Sequence, residues 1–154
     1  MTDDLKVPKE RVQVEVLLPG GAVRQVVVFL SEFASAHSGR ERLSDLLNGH
    51  ADFLPALDVA KGNITFLGRQ SIAAARVAAE WEPGEDPSVT EEHEVEITLA
   101  DGTELHGLVG FVQPPERSRL LDHLNDRHPF VRLVERDKVS LVNKRHIARV
   151  AVKG

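Results

Sequence analysis

The chain has 154 residues, 42% hydrophobic and 28% charged, with a formal net charge of −5. That is the balance of a soluble globular protein, and no apolar run approaches the ~20 residues of a membrane span. There is no cysteine, which excludes disulfides, a thiolate nucleophile and cysteine-ligated zinc.

Residues 1–10 hold Asp3, Asp4 and Pro8 and read as a loose lead-in, polar and acidic, without the pattern of a secretory signal. From Arg11 the residues alternate: Val12, Val14, Val16 and Leu18 are apolar, with Arg11, Gln13 and Glu15 between them. Period two with β-branched residues predicts a half-buried strand. Pro19-Gly20-Gly21 predicts a turn, and Val23 to Leu30 a second strand that closes a hairpin. After a polar loop, Arg40 to Asn48 predicts a two-turn helix, with Leu43, Leu46 and Leu47 on one face. Arg42 and Asp45 are placed to pair on its solvent side, and Asn48-Gly49 to end it in the left-handed conformation. Phe53 to Val59 and Ile64 to Leu67 read as strands. Over Ser71 to Trp81 the alanines favour helix. The match of this stretch to Ile147–Val152 instead predicts a strand through about Val77.

Glu80 to Glu92 is a linker by composition, with two prolines and dense negative charge. Its carboxylates are expected to be solvated, and Trp81 to anchor its start. Beyond it the pattern restarts. Val95, Ile97 and Leu99 alternate with polar residues, Asp101-Gly102 signals a hairpin, and Leu105 to Val112 is the partner strand. Gly107 and Gly110 inside that strand mark a bend or a close backbone approach. Arg117 to Asn125 is a second helix, Phe130–Val134 and Lys138–Val142 a hairpin, Asn143–His146 a turn and Ile147–Val152 the last strand.

The second helix repeats the first. Arg40-Glu-Arg-Leu-Ser-Asp-Leu-Leu-Asn48 returns 77 residues later as Arg117-Ser-Arg-Leu-Leu-Asp-His-Leu-Asn125, and Phe53 and Phe130 follow at the same distance. The expected organisation is therefore a duplication: residues 11–79 and 93–154 as two β-β-α-β-β-β units joined by an acidic linker at 80–92. Units this small are marginal alone, so the two are expected to pack as one cooperative, mainly β body with pseudo-two-fold symmetry. Five strands in this rhythm resemble a small SH3-like barrel, and Val95 to Phe111, with Leu141 to Ile147, resembles the Sm-like variant. That likeness implies a barrel fold for each unit and, more distantly, RNA binding. The Asp and Asn that Sm-like proteins place after the bent strand have no counterpart here, because Gln113-Pro114-Pro115 and a helix stand there.

The doubled polar positions Arg40, Arg42, Asp45, Arg117, Arg119 and Asp122 exceed what packing needs and are the candidate protein-binding residues. Arg132, Arg136, Lys138, Lys144, Arg145 and Arg149 are the alternative, an anion-binding face for nucleic acid or another polyanion. Aromatic stacking platforms are scarce, since there is no Tyr and the six Phe fall largely at core-periodic positions. His123 and His128 are five apart, which misses one helix face, and there is no His-Glu-x-x-His, Gly-x-Ser-x-Gly or phosphate-binding glycine loop. No cofactor, metal or catalytic residue is expected. The sequence points to a non-enzymatic adaptor of the bacterial cytoplasm, whose partner is another protein; homo-oligomers are compatible with this reading.

Overall fold

A computed structural model describes residues 9–34, 37, 39–84, 90–112 and 120–153. The candidate residues Arg117 and Arg119 lie outside these. The alternating segments form strands where they are expected: β1 (Lys9–Leu17), β2 (Val23–Ser31), β3 (Phe53–Asp58), β4 (Ile64–Gly68), β5 (Ala74–Ala78), β6 (Glu91–Leu99), β7 (Glu104–Phe111), β8 (Phe130–Glu135), β9 (Lys138–Asn143) and β10 (Ile147–Val152). Among the described residues, two five-residue helices, α1 (Leu43–Leu47) and α2 (Leu120–Leu124), follow β2 and β7. The stretch over which helix and strand arguments conflict resolves as β5, flanked by 3₁₀ turns at Arg69–Ser71 and Ala79–Trp81. Alanine's helix preference is weak, and the ladders to β1 and β9 on either side of β5 override it.

All ten strands lie in one antiparallel sheet, ordered β10-β6-β7-β8-β9-β5-β1-β2-β3-β4. The first five strands and the last five follow the same order: fifth, first, second, third, fourth. Their registers correspond residue for residue. Phe53 faces Gly68 as Phe130 faces Asn143, and Leu57 faces Ile64 as Val134 faces Val139. Val27 faces Leu57 as Leu108 faces Val134. Glu15 faces Arg76 as Glu96 faces Ala151. The halves meet at β5 and β9, which pair from Ala74↔Val142 to Ala78↔Lys138.

Each half's core borrows from the other. Phe130, Val139 and Leu141 belong to the first core, with Val14, Leu30, Leu47 and Val77. Leu17, Ala73 and Ala74 belong to the second, with Val95, Ile97, Phe111 and Leu133. Burial of this apolar surface is the main stabilising term, at about 25 cal/mol per Å² removed from water.

Several local expectations are corrected. The first helix, Leu43–Leu47, is shorter than the two turns expected over Arg40 to Asn48. Asp45 does not pair with the guanidinium of Arg42. Its carboxylate accepts from the Arg42 backbone N at 2.8 Å and meets His37 Nε2 at 2.7 Å. Asn48 ends the helix at φ −88°, not in the left-handed region. Its side chain is directed elsewhere, as shown below. Glu82, inside the acidic linker, is buried, not solvated. Phe33, Phe53 and Phe66 are exposed, against their core-like spacing. Trp81 does anchor the linker start: it packs on the first core, with the Arg40 guanidinium 4.4 Å from its ring centroid.

Candidate functional site

The seam between the halves is built from backbone and a set of polar side chains. Asn48 Oδ1 accepts from Phe130 N at 2.9 Å, carrying the end of α1 across to β8. Asn143, fully buried, donates from Nδ2 to Ile72 O at 3.0 Å, while its Oδ1 accepts from Arg145 N. Arg76 lies opposite Ser140 in the ladder and holds two carboxylates: Nη1 to Glu15 at 2.8 Å and Nε to Glu135 at 3.0 Å. Ser140 Oγ donates to the same Glu135 carboxylate and accepts from Arg76 Nε. Paired and hydrogen-bonded, these part-buried charges fix the register of β5 on β9.

Beside the seam is a cleft of about 440 Å³, lined by Arg42, Glu82, Phe111, His123, Arg132 and Lys144 among others. Several of its charged groups are hydrogen-bonded within the chain. Glu82 accepts from Ser44 N at 3.1 Å and from Ser44 Oγ at 2.6 Å. Burial pushes its carboxyl above the usual range, and the Ser44 hydrogen bonds and the positive charges of Arg132 and Arg42 only partly offset that. Arg132 Nη2 donates to Glu82 O at 2.7 Å. Lys144 Nζ donates to Asp126 Oδ1 at 2.8 Å. His123 stacks on Phe111, and desolvation lowers its pKa against the opposing pull of Asp126.

The repeated polar trio is not assembled into one surface among the described residues. Arg40 covers Trp81 and reaches Glu10 at 3.4 Å, Arg42 stands near Glu82, and Asp45 caps α1. Asp122 is half-buried on α2. The six basic residues are likewise dispersed. Arg132 and Lys144 line the cleft; Arg136 and Lys138 sit at the β8–β9 turn beside a second hollow. Arg145 follows β9, and Arg149 on β10 meets Glu96 at 3.6 Å. Among the described residues, the one grouping with metal-ligand spacing, Glu96, Glu104 and His106, is on the open face of the β6–β7 hairpin. Exposed acidic groups of this kind form without a metal, and His106 also lies 3.4 Å from Lys153 Nζ.

Among the described residues, three of the exposed large apolar side chains are neighbours on the β3–β4 hairpin. In its ladder Phe53, Pro55 and Leu57 share a face with Ile64 and Phe66. Leu54 and Ala56 point the other way, into the core. Phe53, Ile64 and Phe66 are 64, 54 and 70% exposed. Their register counterparts in the other half, Phe130, Val139 and Leu141, are 4, 0 and 1% exposed, because the first half's core covers them. β4 is also the last strand of the sheet, and among the described residues no strand pairs with its outer edge.

Sequence reasoning missed this surface. Its signal was present: Phe53 to Leu57 and Ile64 to Leu67 are apolar at both parities, so one parity must face outward once the other fills the core. Comparison with protein-family models, with curated proteins and with solved structures finds no match for this chain.

Proposed function

We propose that the protein is a non-enzymatic protein-interaction module, and that its contact surface is the outer edge of β4 with the apolar face of Phe53, Ile64 and Phe66. One observation carries the reading: Ile64 and Phe66 on the terminal strand β4 and Phe53 beside them on β3 stand exposed, and among the described residues no strand pairs with the outer edge of β4. A row of unpaired N–H and C=O groups flanked by apolar side chains is the surface to which an extended segment adds by strand pairing. Exposed apolar residues scattered singly need no explanation, whereas a contiguous set on a sheet edge marks a contact surface.

The architecture behind this reading is a tandem duplication of a small SH3-like unit, resembling the Sm-like variant. The shared strand order, the matching registers and the doubled Arg-x-Arg-Leu-x-Asp phrase support it. An adaptor in the cytoplasm is the role such a module fits. Anion binding through Arg132, Arg136, Lys138, Lys144, Arg145 and Arg149 is the weaker reading, since these side chains are dispersed and Arg132 and Lys144 already donate within the chain.

The test is a bait comparison. Tagged wild type and a Phe66→Lys variant are exposed to lysate from the source cell, alongside a Lys138→Glu/Arg145→Glu variant. Proteins retained by wild type should be lost with Phe66→Lys and kept with the charge reversals. The opposite pattern, with steep loss in salt, would move the contact to the basic residues.

A further inference from the structure

We propose that the partner of the β4 edge is a second copy of this chain: copies assemble head to tail, with β4 of one pairing with β10 of the next in the register that β9 and β5 use within the chain. This rests on the reading of the β4 edge as a contact surface and names its partner.

The two outermost strands of the sheet, β4 and β10, whose outer edges no strand pairs with among the described residues, are the counterparts of the two strands joined at the seam. β4 corresponds to β9, since each follows the third strand of its half and each ends in a 3₁₀ turn and an isoleucine, Ile72 or Ile147. β10 corresponds to β5, since each pairs with the first strand of its half. Carrying the seam's ladder from Ala74↔Val142 through Ala78↔Lys138 over to these outer edges sets Arg149 opposite Leu67, Val150 opposite Phe66 and Val152 opposite Ile64. Ile64 and Phe66, the exposed apolar residues of β4, thereby meet Val152 and Val150. Val152, on β10, is exposed, whereas its counterpart Val77 in the seam is buried.

The receiving face is likewise complete. Inside the chain, Phe130, Val139 and Leu141 enter a core whose wall includes Leu47, Ile72, Ala75 and Val77. The counterparts of that wall are Leu124, Ile147, Val150 and Val152, on α2 and β10. The first three are only partly buried, and Val152 is exposed. Phe53, Ile64 and Phe66 of a second copy fit there as Phe130, Val139 and Leu141 fit at the seam. The same transfer gives a role to the repeated asparagine. Asn48 Oδ1 accepts from Phe130 N, so Asn125, which is exposed at the end of α2, is placed to accept from Phe53 N of the neighbouring copy.

The transferred contact is weaker than the seam in two defined ways. Ala151 stands where Arg76 holds Glu15 and Glu135, and Gly68 stands where Asn143 donates to Ile72 O. The contact therefore lacks the ionic clamp and one buried amide, which makes it reversible and insensitive to salt. Because the two edges differ, the contact is heterologous, and it propagates until a ring closes or a filament forms.

Sedimentation velocity over a dilution series tests this on the full chain. Wild type should run as a dimer and larger species that dissociate on dilution, with little change between low and high salt. Phe66→Lys blocks the β4 face and Val152→Lys the β10 face; each should be monomeric with a melting temperature close to wild type. Mixed together, they should give a 1:1 dimer and nothing larger, because each retains the edge the other lacks. Asn125→Ala should weaken association by up to about tenfold. A wild type that is monomeric at every concentration, or a mixture of the two variants that stays monomeric, overturns the proposal. If wild type is monomeric yet Phe66→Lys still loses the proteins that wild type retains from lysate, self-pairing falls and the contact-surface reading stands. If Phe66→Lys matches wild type in both assays, both fall.

Discussion

At Glu82, burial and hydrogen bonding act on one carboxyl in opposite directions. Its pKa is raised because desolvation exceeds the stabilisation from Ser44, Arg132 and Arg42. A carboxyl raised in the fold stabilises it below the unfolded value of 4.5, and that contribution is lost as pH climbs through the folded value. Glu82→Gln should therefore equal or exceed wild type in stability at pH 7, with the difference shrinking as pH falls below that of ordinary carboxylates. Chemical denaturation at several pH values measures this, and a difference that grows on acidification contradicts it. Glu82→Ala is the contrasting change. It strands the Ser44 N–H and hydroxyl beside a cavity and should cost about 1–3 kcal/mol. None of this was legible in the sequence, where Glu82 is one of eight acids between Glu80 and Glu96. Composition describes the average of such a run, and only the fold reveals that one member is tucked behind α1.

Elements were the most legible scale, because period-two alternation is imposed directly by a sheet with one face in the core. The hairpin over Asp101-Gly102 and the close approach at Gly107 are both where the residues place them. A Cβ on Gly107 would sit 2.4 Å from Val134 O, with Leu133 side-chain atoms near 3.0 Å. Backbone cannot yield as a flexible side chain does. Gly107→Ala should push β7 off β8 and cost roughly 1–3 kcal/mol or more, read as a drop in melting temperature. Gly102→Ala is the comparison: no atom lies within 4 Å, and its penalty comes only from φ +94°. Loss at Gly102 equal to or above that at Gly107 would mean the approach to β8 is not what Gly107 serves. The helices were less legible. Leucine spacing marks their position, but asparagine was read as a helix stop when its side chain reaches across to Phe130 N. A hydrogen bond between residues 82 apart in sequence leaves no local periodicity to find.

For the molecule as a whole, the doubled phrase makes two halves legible, yet it gives no hint that they share cores through a continuous sheet. The halves meet by inserting Phe130, Val139 and Leu141 of the second into the core of the first. Neither half retains a closed core without the other, so unfolding should be a single transition. Leu141→Ala tests this. The residue is 1% exposed and belongs by sequence to the second half. Leu-to-Ala changes in cores cost about 2–5 kcal/mol, and here the cavity opens against Val77 and its neighbours in the first half. Trp81, the one tryptophan, packs on that first core and reports it by fluorescence, while far-ultraviolet circular dichroism reports all ten strands. Both signals should fall at one urea concentration in wild type and shift together in Leu141→Ala, with an unchanged slope. If fluorescence and dichroism separate in the variant, with Trp81 holding its native signal while strand content falls, the halves are independent domains that only touch at β5 and β9. A joint shift shows that the seam is part of the core, which is why β4 and β10, the same two surfaces without a neighbour, leave apolar side chains in water.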